Sequence, residues 1–266
     1  TNLSTIGGAT TGTVTVSNVV RIFGSAADVT AALVTASSKV TASTATVTIS
    51  DAAYHENNNN VTISASDLKN IGNATSGTVT VSNAVKISGS QSEVTAALVT
   101  ASSKVTASTA IVTISDAAYG ANTNNTTINA SDLSAIGNAT TGTVTVSNAI
   151  KVSGSQSDVT AALVTASSKV VAGASGTIAN VTDAVTAAQA QAIAAVSNVK
   201  VDFNRGPASR GGVEDTVSNL YDANNNAITA AFSAISADDA DVAVTITNAA
   251  FNANNNNVTI AATALS

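Results

Sequence analysis

The sequence predicts a β-rich α+β repeat protein: an elongated, solenoid-like stack of strand–strand–short-helix rungs. Three observations predict it. The stretch from Gly77 to Lys104 recurs from Gly12 and from Gly142, at equal intervals along the chain (77 − 12 equals 142 − 77), and self-similarity at a fixed period marks a repeat architecture. Within it, Val79 and Val81 alternate with Thr78, Thr80 and Ser82, and Val85 and Ile87 alternate with Lys86 and Ser88. That period of two belongs to strands with one buried face. Ser90 and Glu93 then carry capping-box spacing ahead of Val94, Ala97, Leu98 and Ala101, which form one apolar helical stripe. The same spacing also fits tandem compact α/β or β-sandwich modules, one per period.

Each element follows from local chemistry. The Asn83-Ala84 step between the strands reads as a bend or short turn. The cap pair recurs as Ser25 with Asp28 and as Ser155 with Asp158. The second half of the period reads as a diverged copy of the first, because Val112 to Ala117 matches Val79 to Ala84. It carries an asparagine-rich insertion between Tyr119 and Thr126, and Ser131, Asp132, Leu133 and Ile136 suggest a shorter helical turn. Residues 1–11 read as the end of a preceding repeat, 12–76 and 77–141 as full repeats, and 142–181 as a partial third.

Residues 182–241 read as a diverged, helix-rich insert. In it, Thr182–Val196 has the strongest helical pattern, capped by Thr182 or Asp183, with Val185, Ala188, Ile193 and Val196 as buried positions. Val199–Phe203 reads as a strand, and Asn204–Gly212 as a loop holding Pro207, Arg205 and Arg210. Val217–Ile235 reads as a helix or helix pair broken around Asn224–Asn226. Residues 242–266 return as a half-repeat in phase with the N-terminus, since Leu265-Ser266 and Leu3-Ser4 both match Leu68-Lys69. The phase match and the lack of any methionine lead to the expectation of a segment of a longer array, or of subunits stacking head to tail through Leu3 and Leu265.

Composition excludes several classes of function. Only 10% of the residues are charged and the net charge is −6, whereas phosphate binding needs clustered Lys and Arg. Aromatic residues, at 3%, are too few for a base-stacking platform. No apolar run approaches the roughly 18 residues a bilayer span needs, so this segment is not expected to span a membrane. Without cysteine there is neither a disulfide framework nor a thiolate metal site.

Candidate sites are few, and each has a bland counterpart. His55 has Gly120 and Asn252 as its repeat equivalents, so it reads as an exposed loop residue. Tyr54, Tyr119 and Phe251 share one position; packing is favoured there over a carbohydrate-stacking row. Asp51, Asp116 and Asn248 close equivalent strands. Asp51 and Asp116 are calcium candidates, although turn amides are sufficient partners for them. Asn60, Asn73, Asn125, Asn138 and Asn257 each open an Asn-x-Thr triplet and are candidates for glycan attachment. Thr13-Val-Thr15 and its copies suggest ice binding, but alternate rungs lack the triplet. Arg205 and Arg210 are candidate subunit contacts.

Val61-Thr-Ile-Ser-Ala-Ser-Asp-Leu68, Ala74-Thr-Ser-Gly-Thr-Val79, Ile87-Ser-Gly-Ser90 and Glu93-Val-Thr-Ala-Ala-Leu98 resemble the giant repetitive cell-surface proteins of cyanobacteria and some other bacteria. Asp183–Ala190 and Glu214–Leu220 are similar to further modules of such arrays. The resemblance implies a secreted surface or matrix role and no particular activity. The leading expectation is therefore a structural part of an extracellular filament, surface layer or adhesin stalk, with itself as head-to-tail partner, no cofactor, and no enzymatic activity. A glycan- or surface-binding adhesion module is the alternative, with ice binding below it.

Overall fold

The computed structural model describes residues 2–120, 126–203, 212–222, 227–238 and 242–249. They form an α/β protein with several parallel sheets. It divides into two compact units: Thr1–Ala117 with Asp132–Asn148 and Ala166–Val171, and Ala118–Ser131 with Ala149–Thr165 and Ala172–Ser266.

In the first unit, strands Arg21–Gly24, Thr46–Ile49, Val79–Val81 and Val105–Thr106 lie side by side in that order, all parallel. Ile22, Val47, Val79 and Val105 fall in one row across this ladder. A second parallel ladder runs through Thr62–Ser64, Lys86–Gly89, Ile111–Ile114 and Val144–Val146, with Ile63, Ile87, Val112 and Val144 in a row. These rows are buried aliphatic stacks. They explain why only the Val and Ile positions of each alternating segment face inward. Val112 pairs with Val144 although the asparagine-rich insertion lies between them in sequence, so the register of the row is kept.

In the second unit, Thr127–Asn129, Lys151–Gly154, Thr177–Val181 and Val199–Phe203 form a third parallel ladder. A smaller sheet joins Ala184–Val185, Gly212–Asp215 and Val244–Ile246, again parallel. Tyr221–Asp222 and Ala227–Ile228 pair antiparallel.

Apart from Tyr221–Asp222 and Ala227–Ile228, described strands that neighbour each other in sequence are not partners. Val79–Val81 enters the first ladder and Lys86–Gly89 the second. The bend between them is held by Ser82 Oγ donating to the Ile49 carbonyl, and by Asn83 Nδ2 donating to the Asp51 carbonyl at 2.6 Å. Parallel pairing needs long crossovers, and the short helices lie within them. The helices therefore alternate with parallel strands, which makes the class α/β rather than the expected β-rich α+β.

Two helical expectations are corrected, and the expected helix or helix pair over Val217–Ile235 is a pair. The stripe Val94, Ala97, Leu98 and Ala101 is not one α-helix: Gln91–Val94 is α, Thr95–Val99 is a π turn and Ala101–Ser103 is 3-10. The Thr100 amide and hydroxyl both donate to the Thr95 carbonyl. This widens the turn and leaves Val94 and Ala97 buried but Ala101 exposed. Lys39, Lys104 and Lys169 then take left-handed backbone angles to end the turn, with φ of 53°, 58° and 56°. The helix expected over Thr182–Val196 is Ala187–Ala194. Its cap is Thr186, paired with Gln189, and its buried face is Ala187, Ala190 and Ile193 rather than Ala188. Val185 is buried, but on a strand. Val217–Ile235 yields helices Val217–Leu220 and Ala230–Asp238 separated by the antiparallel pair, and Gly212 belongs to a strand rather than to the loop.

Candidate functional site

The most repeated polar device is a double cap on the helix starts. Ser25, Ser90, Ser155 and Thr186 each accept the amide three residues on through the side-chain oxygen. A second acceptor comes from a strand end farther along the chain and takes the first helical amide. Asp51 Oδ2 accepts from Ala26 N, Asp116 Oδ2 from Gln91 N and Asp183 Oδ1 from Gln156 N, each at 2.6 Å. Asp215 Oδ2 accepts from Ala187 N at 2.9 Å, and Asn248 Oδ1 accepts from Val217 N at 2.8 Å. Helix starts leave amides unpaired and carry partial positive charge, so an anionic acceptor there is favourable.

The two calcium candidates thus sit at helix starts with one oxygen engaged. Among the described residues, no three His, Asp or Glu side chains come together as a metal would require. Sequence spacing flagged Asp51, Asp116 and Asn248 but missed Asp183 and Asp215. The signal that could have found these two was the recurrence of an Asp at a similar distance down the chain from each Ser or Thr cap, as Asp183 follows Ser155 and Asp215 follows Thr186, and not the strand-end motif.

Asp215 is the most buried of these carboxylates, and its titration is shifted. Burial pushes its pKa up, but hydrogen bonds from Asn219 Nδ2 and from the Ala187 and Thr216 amides outweigh that and hold it below 3.8. It borders a cavity of about 340 Å³ with Thr186, Gln191 and Asn219. A larger cavity, about 440 Å³, lies against strand Arg21–Gly24 in the first unit. It is lined by Leu3, Val20, Ile22, Phe23 and Val29.

The repeated tyrosines have cationic partners. Lys86 Nζ sits 5.2 Å from the Tyr54 ring centre and Lys151 Nζ 5.7 Å from that of Tyr119, within cation–π range. Lys151 also pairs with Asp202 Oδ2 at 2.9 Å. Both rings are half-buried, and the Tyr54 and Tyr119 amides donate to the Ala84 and Ala149 carbonyls. The Tyr–Lys pairing was not read from sequence, although its constant separation (86 − 54 equals 151 − 119) is a signal that could have found it.

His55 is exposed, and its Nδ1 accepts the Asn57 amide. Asn60, Asn73 and Asn138 are exposed. The threonines of two triplets are not: the Thr75 and Thr140 hydroxyls are buried and donate to the Ala45 and Ala110 carbonyls. Glycan attachment at Asn73 or Asn138 would therefore have to precede folding. Leu3 is half-buried on helix Asn2–Gly8. Asn125, Asn257, Arg205, Arg210 and Leu265 lie outside the described residues. No described helix is long and apolar enough to cross a membrane. Compared with known proteins, the chain matches no family model, no curated protein and no solved structure.

Proposed function

We propose that this chain is a structural building element: a subunit or segment of an extracellular filament, surface layer or adhesin stalk. Its strand–strand–helix rungs form a solenoid-like stack, and copies join end to end. The observation that carries this reading is the ladder register, in which Ile22, Ile87 and Val152, one repeat period apart, each add to a parallel row of aliphatic side chains. Stacking of that kind gains stability from each neighbour and extends in one direction.

The polar residues fit the same reading. They are spent on helix caps, bends and close turns rather than on a converging set of acids, bases or nucleophiles, so the reading contains no catalytic step and no cofactor. A surface built from Ser, Thr and Asn with few charges suits an extracellular or cell-surface location and offers nothing to nucleic acid. A glycan- or surface-binding adhesion module is the second reading, favoured by the exposure of Asn60, Asn73 and Asn138. Against it, Tyr54 and Tyr119 each already have a lysine over the ring.

Negative-stain electron microscopy of the purified chain over a concentration series tests the first reading. Uniform fibres that lengthen with concentration are expected. Isolated particles of one size at every concentration would sink end-to-end assembly.

A further inference from the structure

Most polar side chains of the fold serve caps and bends, but one cluster on the third ladder departs from that pattern. Val152, Ala179 and Val201 form the buried row of this ladder, and Lys151, Asn180 and Asp202 lie on its other face. Lys151 belongs to the strand on one side of Thr177–Val181 and Asp202 to the strand on the other. Lys151 Nζ nevertheless reaches Asp202 Oδ2 at 2.9 Å. Neighbouring strands are about 4.8 Å apart, so the lysine stem crosses the strand between them. Asn180 stands on that middle strand, in register with Ser153 and with Asp202.

The Asn180 side chain has an unmet need. It is 4% exposed, and its Nδ2 donates to Ser153 Oγ at 2.7 Å. Its Oδ1 is buried and has no hydrogen-bond donor among the described residues, an arrangement that costs stability and calls for an explanation. The Lys151 amine beside it is shielded as well. Its side chain is 21% exposed, and the Tyr119 ring centre lies 5.7 Å from Nζ.

The other ladders provide an internal comparison. Lys86 has the same strand position and the same kind of ring partner, Tyr54. The register there places Thr113 and Thr145 where Asn180 and Asp202 stand beside Lys151. One repeat earlier, Arg21 has Thr48 and Thr80 in those places. The third ladder thus replaces two outward threonines by a carboxamide and a carboxylate next to a lysine. Together they supply a nucleophile, a proton carrier and an acyl carbon.

We propose that Lys151 Nζ and Asn180 Cγ join in an intramolecular isopeptide bond, with Asp202 carrying the protons. Lys151 Nζ first gives a proton to Asp202 Oδ2 along their hydrogen bond, and its lone pair then attacks Asn180 Cγ. The Asp202 hydroxyl formed in that transfer donates to Asn180 Oδ1, the acceptor otherwise left without a donor, and draws charge onto it. A further proton passes from Nζ through Asp202 to Nδ2, the Cγ–Nδ2 bond breaks, and ammonia leaves. Ammonia takes up the remaining proton as ammonium, and Asp202 returns to a carboxylate. Nothing is oxidised or reduced, and no co-reactant is needed. The step occurs once per chain and consumes its own groups, so it is a maturation of the fold rather than turnover. It ties two neighbouring strands covalently, whether or not copies join end to end.

Intact mass of the folded full chain tests the bond. The expected mass is lower than that of the sequence by one ammonia in most molecules. Trypsin should then release a branched peptide joining residues 105–169 to 170–200, because a bonded Lys151 resists cleavage, while Lys86 is still cut. Lys151→Arg keeps a cation for Asp202 but cannot form the bond, and is expected to restore the full sequence mass, as is Asn180→Ala. Asp202→Asn is expected to leave most chains unbonded. Circular dichroism of the variants checks that they fold, and the branched peptide of the unaltered chain decides the matter independently of them. Full sequence mass in the folded, unaltered chain overturns the proposal. Loss of one water instead of ammonia overturns it by placing the bond at Asp202. Loss of ammonia that persists in Lys151→Arg overturns it by assigning the loss to succinimide formation at an asparagine.

Discussion

Asp116 Oδ2 accepts the backbone amide of Gln91 at 2.6 Å, so the helix start at Ser90 is closed by a carboxylate from the end of strand Ile111–Ile114. The serine cap is local and takes the third helical amide. The aspartate is distant and takes the first. Each such pair ties a crossover helix to the end of a strand one ladder step away, so helix placement and strand register are fixed together.

Asp116→Ala is expected to cost about 1–2 kcal/mol, the range for losing a cap and leaving an amide unpaired. Asp116→Asn should cost less, because Asn248 already does this task for the Val217 amide. Urea unfolding of the three proteins checks the order. Equal midpoints for the wild type and Asp116→Ala would mean that the distant cap is dispensable.

Much of this was legible in the sequence, and the boundary is physical. Alternation gave the strands, because the inward row of Ile63, Ile87 and Val112 needs aliphatic residues and the outward positions do not. Capping chemistry gave the helix starts at Ser25, Ser90 and Ser155. Pairing was not legible: Val79 neighbours Lys86 in sequence but belongs to another ladder, and no local signal specifies that Ile87 pairs with Val112 or Val112 with Val144. The length of the helix after Ser90 was also misread. Its continuation is set by the Thr100-to-Thr95 bond and not by the apolar stripe. The Asp-to-amide caps and the Tyr–Lys pairs rest on long, recurring separations that become meaningful only once the ladders are known.

Asp215 gives stability a pH dependence of defined sign. Its folded pKa lies below 3.8, so the unfolded chain binds this proton more readily than the folded one. Its contribution is therefore fully present above 3.8 and is lost as the pH falls through the lower folded value. The difference in unfolding free energy between wild type and Asp215→Asn should be constant at neutral pH and shrink on acidification below 3.8. A difference that grows on acidification would show that burial, not hydrogen bonding, controls this carboxyl.

One repeat lacks a bond that the others make. Gln91 Nε2 donates to Thr95 Oγ1 and to Asp132 Oδ2, and Gln156 Nε2 donates to Thr160 Oγ1. The equivalent of Gln91 in the first copy is Ala26, and the Thr30 hydroxyl there is buried without a partner. Ala26→Gln should restore the bond, reaching Thr30 and Asp67, and stabilise by about 1 kcal/mol. A lower melting temperature for this variant would mean that the first copy lacks room for the longer side chain.

Adjacent glycines on helix Asn2–Gly8 should respond in opposite ways. A Cβ on Gly7 would overlap the Ser38 carbonyl oxygen, whereas a Cβ on Gly8 would meet nothing within 4 Å. The first contact recurs, with Gly72 against the Ser103 oxygen and Gly137 against the Ser168 oxygen. In each case the obstacle is backbone at the end of a 3-10 turn, which cannot rotate aside. Gly72→Ala or Gly137→Ala should therefore cost about 3 kcal/mol, at the upper end for overpacking. Gly8→Ala should be neutral, or stabilise by up to about 1 kcal/mol through helix propensity. Thermal unfolding of Gly7→Ala, Gly8→Ala and Gly72→Ala checks the contrast. Equal melting temperatures for Gly7→Ala and Gly8→Ala would show that helix Asn2–Gly8 is not seated on the Ala36–Ser38 turn in solution, while Gly72→Ala reports independently on the interior copy.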